Sequence, residues 1–569
     1  MNPLDDPLVR QLSELQQTHW PQGVPHQPRY PLGEITLTGY LRQWARRQPD
    51  KPAVIYYGAR ISYDELDRLS DRFAALLARH GIRPGDRVAV MLGNCPQFHV
   101  AFYGILKLGA VHVPVNPMFK EHEMSYELQD SQAKALLVLD ELAAMAVKVL
   151  PGSNVTATFV TSLGAMLPAE PTLPLPPGIR ATHPAPANMI NLLPALDDAS
   201  LQAPEPASDL DATAALNYTG GTTGMPKGCV HTQRDMIYTA ATACTVANNM
   251  DADDVSLNYM SLFWIAGENV GLIFPIFLGS TVVQLARWDP LAAMAAIDRY
   301  RCTRCSMVLD NAVEILEHPA RGQYNFNSLK AVRVSSFVKK LNPDYRARWR
   351  ALTGTVLAEA AWGMTETHTS DTFTTGQQEN DLDLSGQPVF VGFPVPGTYI
   401  RICDFNSGQT LPLGREGEIV VHTPSQLKAY WNKPEASAAS LREGWFHTGD
   451  IGVYDARGCL HFLGRSKEML KVKGMSVFPT EIEVMLGQHP DVVGSGVIGR
   501  ADPDKGEAPV AFVRVRAGSS LRAEDLRAWC KDNMASYKIP EIHIVESLPM
   551  TATGKVKKHE LQALLGSVD

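Results

Sequence analysis

Tyr218-Thr219-Gly220-Gly221-Thr222-Thr223-Gly224-Met225-Pro226-Lys227-Gly228 follows the apolar run Ala214-Ala215-Leu216, and the rest of the chain is read outward from this junction. Glycine lets a backbone approach a ligand closely and turn its N–H groups inward, an arrangement that holds phosphate oxygens. The threonine hydroxyls add donors and Lys227 adds positive charge. No Gly-Lys-Ser/Thr follows at the required spacing, so the loop is not of the Walker A type. A glycine- and threonine-rich surface turn is the plain alternative. The length of the run and its strand-like lead-in favour a phosphate cradle at the end of a strand.

On the amino-terminal side, helical and strand patterns alternate from Thr36 to Asp140. An amphipathic helix begins at Tyr63 and extends towards Arg79. Arg87-Val-Ala-Val-Met-Leu92 is a short buried strand, Phe98 to Lys107 a helix, and Ala110-Val-His-Val-Pro-Val115 the next strand. This βαβ order implies a largely parallel sheet with helices on its faces. Pro151 to Ser208, rich in proline and alanine, reads as an irregular excursion, and alternation resumes through Ala361. Punctuation near Gly464-Arg-Ser-Lys467 divides the chain. The expected class is α/β: a large N-terminal domain of parallel-rich sheets over residues 1–464, and a small mobile α+β domain over residues 465–569. The latter has its own signals at Val493–Ile498, Val510–Val515 and Ala523–Asn533.

Composition narrows the function classes. The 569 residues exceed one ordinary core, and 45% apolar with 20% charged residues is the balance of a soluble globular protein. A net charge of −8 without a dense Lys/Arg block argues against nucleic-acid binding. Met1-Asn-Pro-Leu-Asp-Asp6 lacks the features of a secretory signal. Val270 to Val283 is too short to span a bilayer and reads as buried core, so no integral membrane segment is expected. Eight cysteines suggest no disulfide framework. Cys302-x-x-Cys305 has no second pair at zinc spacing and sits in Arg301 to Leu309, which reads as a buried strand entering a loop. A cytoplasmic protein is expected, and a homodimer is left open.

Further motifs follow in order. Trp362-Gly-Met-Thr-Glu366 offers an aromatic face, a hydroxyl and a carboxylate. Gly444-Trp-Phe-His-Thr-Gly-Asp450 ends in an aspartate whose two oxygens suit the hydroxyls of a ribose. Gly464-Arg465 places a guanidinium at the domain junction. Leu470 to Glu483 is basic with a central glycine and then turns helical, and Thr551-Ala-Thr-Gly-Lys555 ends the series. With Lys107-Leu-Gly-Ala-Val-His-Val-Pro-Val-Asn-Pro117, these stretches resemble the motifs of the adenylate-forming superfamily. That superfamily comprises acyl-CoA synthetases, peptide-synthetase adenylation domains and firefly-type luciferases, and the resemblance runs from about Leu41 to Leu561.

The resemblance implies an ATP-dependent acid–CoA ligase with Mg²⁺ as cofactor and ATP, CoA and a carboxylic acid as reactants. Thr219, Thr222, Thr223 and Lys227, with Gly220, Gly221 and Gly224, would hold the β- and γ-phosphates. Glu366 would bind Mg²⁺ and Thr365 would contact the α-phosphate. Trp362 and Gly363 would border adenine, Asp450 would accept the ribose hydroxyls, and Arg465 would support ribose or phosphate. Lys555 would bridge acid and α-phosphate during adenylation. Rotation about a hinge at Lys467 would then withdraw Lys555 and present Lys471 to Met475, with Lys473 and Gly474 beside the pantetheine channel. Tyr537 and Lys538 are weaker candidates for the CoA nucleotide, whereas Lys557 and Lys558 read as solvated.

Two stretches depart from the pattern. Ser261-Leu-Phe-Trp264-Ile-Ala-Gly267 replaces the more usual Pro-Leu-Phe-His, and Val334-Ser-Ser-Phe-Val-Lys-Lys340 stands where relatives carry Gly-Gly-Ala. The expected acyl pocket is lined by Trp264, Gly267, Phe337, Val338, Ala361 and Met364, with Phe337 limiting acyl length. No cation is placed for a second carboxylate, so the acid is expected to be an apolar monocarboxylic one, fatty or aromatic. Three alternatives stay open here: a stand-alone adenylating enzyme that loads a carrier protein, an oxidative luciferase-like use of the adenylate, and a non-catalytic adenylate-binding sensor.

Overall fold

The structure, a computed structural model, describes residues 2–219, 225–385, 389–472, 475–503, 506–551 and 554–568. Two seven-stranded sheets form the body. In the first, strands run in the order Leu357–Glu359, Ala331–Ser335, Arg304–Val308, Val255–Asn258, Thr281–Gln284, Pro52–Tyr56, Ala59–Ser62, all parallel up to the final hairpin. In the second the order is Ile190–Asn191, Ala157–Thr161, Ala135–Leu139, Arg87–Met91, Val111–Pro114, Thr213–Tyr218, Gly228–Thr232, and only the last pair is antiparallel.

The second sheet is buried on both faces, which explains its unbroken apolar strands. Val88 and Val90 face a core shared with the first sheet, while their neighbours Ala89 and Met91 face a separate cluster. Helices Tyr63–Arg79 and Pro96–Leu108 belong to the shared core; Ser62 caps the first, and every residue of the second is buried. Gly109 ends that helix in the left-handed region at φ 73°. Lys107 is buried but neutralised by Asp67 (2.6 Å) and Asp71 (2.8 Å).

Two expectations need correction. The excursion from Pro151 to Ser208 contains the buried strand Ala157–Thr161, paired in register with Ala135–Leu139. The strand after Cys302 enters helix Leu309–Glu317 rather than a loop. After Glu359 the parallel pattern gives way to an antiparallel sheet, ordered Thr372–Phe373, Val389–Pro394, Leu460–Arg465, Trp445–Tyr454, Gly417–His422, Tyr399–Cys403.

The carboxyl-terminal residues build a fourth sheet from Met475–Val477, Leu470–Val472, Gly506–Val515 and Val492–Asp502, with Glu541–Ile544 added in parallel. Helices Pro479–Leu486 and Ala523–Asn533 pack on a core of their own that includes Val497, Val513 and Leu526. All eight cysteines are buried and free, and burial pushes the Cys305 thiol up to about 12. Among the described residues no helix is long and apolar enough to cross a membrane.

Candidate active site

The glycine-rich loop leaves the carboxyl end of strand Thr213–Tyr218, the edge of an α/β sheet where ligands ordinarily bind. Gly220, Gly221, Thr222, Thr223 and Gly224 lie outside the described residues. The neck of the loop does not. Thr219 N donates to the Lys227 carbonyl (3.0 Å), and Lys227 N to Thr219 Oγ1 (3.3 Å). Tyr218 pairs with Gly228, where a Cβ would meet the Tyr218 ring at 3.2 Å. Asp130 accepts from the Tyr218 hydroxyl at 2.9 Å.

Segment 427–431 lies along strand Gly228–Thr232: Val230 N donates to Ala429 O, Lys428 N to Val230 O and Trp431 N to Gly228 O. This pairing sets the Tyr430 ring under Lys227, with Nζ 4.0 Å from the ring centroid, while the Tyr430 hydroxyl donates to Glu366 Oε1 at 2.9 Å. Tyr430 thus links the phosphate-loop lysine to the acidic motif, a role sequence reading missed. Tyr430 lay among the motifs without a spacing signal of its own.

Thr365 and Glu366 occupy a single turn, Thr365–Thr367, after strand Leu357–Glu359. The backbone then holds three successive non-glycine residues at positive φ: His368 (60°), Thr369 (62°) and Ser370 (60°). Such conformations each cost of order 1–3 kcal/mol and persist only where neighbours impose them. Here the neighbours are evident. His231 Nε2 contacts the Thr365 carbonyl at 2.7 Å, Asn269 donates to the His368 carbonyl, Ser425 to the Thr367 carbonyl, and Leu427 N to the Glu366 carbonyl. At Gly363 a Cβ would fall 2.5 Å from Ser370 N, so the chain reversal requires glycine. Burial pushes His368 down to about 3, keeping this support neutral.

Asp450, on strand Trp445–Tyr454, is buried and contacted from two sides. The Trp362 indole N–H donates to Oδ2 at 3.0 Å, and Arg465 Nε lies 3.2 Å from Oδ1. Burial raises the Asp450 carboxyl above its usual range, and Arg465 and the indole oppose that rise. Each carboxylate oxygen accepts more than one donor, so both retain capacity for a ligand hydroxyl. Trp362 itself is 93% covered and packs with Ile400, Ile419 and Phe446.

Lys555 comes to the same place from the carboxyl-terminal lobe. Its turn is closed by Thr551 N donating to the Lys555 carbonyl (2.7 Å) and Lys555 N to Thr551 Oγ1 (3.0 Å). The surrounding protein and the Arg465 guanidinium push its ammonium below the ordinary lysine value, while Asp450 and Glu468 pull it back. The residue as a whole is exposed.

The expected acyl-pocket residues lie beside three different elements. Trp264 is half-buried and precedes the short helix Ile265–Glu268. At Gly267 a Cβ would fall 2.0 Å from the Ser261 carbonyl oxygen, so that position admits only glycine. Ala361 is exposed and Met364 half-buried. Phe337 faces the carboxyl-terminal turn, its ring 5.2 Å from Lys555 Nζ. Val338 departs from expectation: it is buried among Ile498, Val510, Phe512 and Leu548 of the carboxyl-terminal lobe. Lys558, read as solvated, instead bridges Glu468 (2.7 Å) and Glu483 (3.3 Å). Lys538 is paired with Glu481, Lys467 sits in the turn Ser466–Glu468, and Lys473 and Gly474 lie outside the described residues. Among those residues no group of three or more His, Cys, Asp or Glu side chains converges on a metal position. A lone carboxylate such as Glu366 suits a hard cation held chiefly by phosphate oxygens.

The family model described as AMP-binding enzyme matches residues 41–431, and the model for its C-terminal domain matches 481–555. A long-chain-fatty-acid–CoA ligase of Bacillus subtilis is 31% identical over 555 residues, covering 95% of this chain and 96% of its own. A feruloyl-CoA synthase of an Amycolatopsis species is 30% identical, covering 92% and 97%. The crystal structure of a benzoate CoA ligase from Burkholderia xenovorans superposes with a TM-score of 0.78 at 26% identity, over 92% and 99% of the two chains.

Proposed function

Because the chain belongs to the AMP-binding enzyme family, we propose that it is an AMP-forming carboxylic acid–CoA ligase. In the first half-reaction a carboxylate oxygen attacks the α-phosphorus of ATP, the α–β P–O bond breaks and pyrophosphate leaves. In the second, the CoA sulfur attacks the acyl carbon of the adenylate, the bond to the phosphate oxygen breaks, AMP leaves, and the thiol proton passes to solvent. The first step sets two anions against each other. Catalysis therefore depends on positive charge and donors aimed at the reacting phosphate rather than on covalent help.

The observation that carries the reading is that Lys555, from the carboxyl-terminal lobe, shares one electrostatic neighbourhood with Arg465 and with Asp450, which belongs to the lobe that also holds Thr365, Glu366 and Lys227. On this reading Lys227 and the loop hydroxyls grip the β- and γ-phosphates, Asp450 orients the ribose, and Lys555 bridges the acid and the α-phosphate. Glu366, kept in place by Tyr430, would hold Mg²⁺, which when bound offsets phosphate charge. The acid is an apolar monocarboxylic one, fatty or aromatic, in keeping with the named relatives. Residues 465–569 act as a lobe that turns at Lys467 between the half-reactions. Eight free, buried cysteines suit a reducing compartment such as the cytoplasm.

The test separates the halves. Lys555→Ala should lose acid-dependent pyrophosphate release by about 100-fold or more, the cost of removing one transition-state donor. It should still make thioester from supplied acyl-adenylate and CoA. Retained pyrophosphate release in that variant refutes the assignment, and thioester formed on a carrier protein but not on CoA replaces the acceptor.

A further inference from the structure

The run Ser336-Phe337-Val338-Lys339-Lys340 leaves strand Ala331–Ser335 of the large lobe and ends against the small one. Its root is fixed. The Ser336 N–H and hydroxyl donate to Glu359 at 2.9 and 2.5 Å, Leu341 N donates to Ser336 Oγ, and Lys339 N to Asp310. Its tip meets the carboxyl-terminal lobe in two places. Lys555 Nζ sits over the Phe337 ring, and a Cβ on Gly554 would lie 3.9 Å from that ring. Val338 is the large lobe's member of a cluster otherwise made of Ile498, Val510, Phe512, Leu548, Leu561 and Leu565. The fit there is close: a Cβ at Gly494 would come 2.3 Å from a Val338 methyl, so the notch exists because residue 494 is glycine. Lys339 Nζ adds a contact to the Val493 carbonyl at 3.4 Å.

We propose that Phe337 and Val338 form a key that seats the carboxyl-terminal lobe in the pose that delivers Lys555. Val338 fills the Gly494 notch, and Phe337 steadies the ammonium against its ring. Both are positioning residues, acting through Lys555. The inference rests on the proposed ligase reaction and adds what sets its first half. The two contacts favour the adenylation pose directly, so weakening them slows adenylation and leaves the thioester step, which does without Lys555, free to run. A cation–ring contact supports an effect of about 5-fold.

Two experiments test this. In Phe337→Leu, adenylation kcat should fall about 5-fold with KM for ATP unchanged, and Phe337→Tyr, which keeps the ring, should recover it. A Cβ on Gly494 would stand 3.8 Å from the Val338 Cβ, the separation found in disulfides, so Val338→Cys/Gly494→Cys should close a bridge with oxidised glutathione. The wild-type protein, whose cysteines are all buried, serves as control. The oxidised variant should adenylate at least as well as its reduced form. Its thioester formation from supplied adenylate should drop by about 10-fold or more, since the lobe cannot turn, and dithiothreitol should restore it. No bridge in the folded protein, both half-reactions falling together on oxidation, or Phe337→Leu adenylating like wild type each overturns the proposal alone. Wild-type protein that releases no pyrophosphate with any acid overturns the ligase reading and this proposal together, while the mass of the bridged variant still reports the docking.

Discussion

Tyr430 makes two contacts with different chemistry, a ring face beneath Lys227 and a hydroxyl on Glu366, and one substitution separates them. Tyr430→Phe keeps the ring and removes the hydrogen bond to the carboxylate, an interaction of about 1.5–3 kcal/mol. The expected outcome is a roughly 10-fold or greater loss of kcat/KM for ATP in the adenylation assay, with little change in melting temperature. Equal kinetics would show that Glu366 is held by its backbone bonds alone. At this scale Asp450, Lys555 and Glu366 stand out in the sequence as members of motifs whose resemblance to a known family implies their roles, and the structure draws Asp450 and Lys555 into one electrostatic neighbourhood. Tyr430 and the Phe337–Lys555 contact were not legible. Each depends on strand pairing or lobe docking between segments more than 60 residues apart, Tyr430 with Glu366 and Phe337 with Lys555.

Elements of the parallel sheets were legible because strands buried on both faces read as continuous apolar runs. The antiparallel sheet after Glu359 was not, since its strands carry half-buried polar positions such as His447, Thr448 and Gly449 that read as motif rather than strand. One short helix holds a group with a measurable consequence. Glu268, at the end of Ile265–Glu268, is fully buried; it accepts from Asn217 at 2.9 Å and lies 3.9 Å from His112, which burial pushes down to about 3. Burial raises the Glu268 carboxyl to about 8, against Asn217's opposing bond. In the unfolded chain this group ionises near 4.5, whereas in the folded protein it keeps its proton to about 8. The folded state thus binds more protons between those values, and stability falls as pH rises through that window, by up to about 1.4 kcal/mol per pH unit. Glu268→Gln retains an acceptor for Asn217 and removes the titration. Urea unfolding at pH 5 and pH 8 should show the variant gaining roughly 2–4 kcal/mol on wild type between the two. A constant difference would mean that Glu268 ionises normally in the folded protein.

The contacts between the two lobes include Val338 in the Gly494 notch, Lys555 at Phe337, and Phe478 packed with Ile451 and Leu463 of the third sheet. The sequence reading sets the division at the punctuation near Gly464–Lys467, and the C-terminal family model, matching residues 481–555, lies wholly beyond it. The side on which the lobes dock was not legible, because docking depends on which faces stay apolar after each lobe has folded. Beside the junction, Lys558 ties Glu468 to Glu483, so the turn Ser466–Glu468 is held at its far end by the lobe it would carry. Rotation must then change backbone angles within that turn. Proline fixes φ near −65°, a value ordinary for a 3₁₀ turn such as Ser466–Glu468, so Lys467→Pro should favour the docked pose and oppose leaving it. Adenylation should stay within about threefold of wild type, while thioester formation from supplied acyl-adenylate should fall by about 10-fold or more. If both half-reactions proceed normally, the lobe turns elsewhere. If adenylation alone is lost, the substitution has disturbed the delivery of Lys555, and the hinge must be sought at a neighbouring residue.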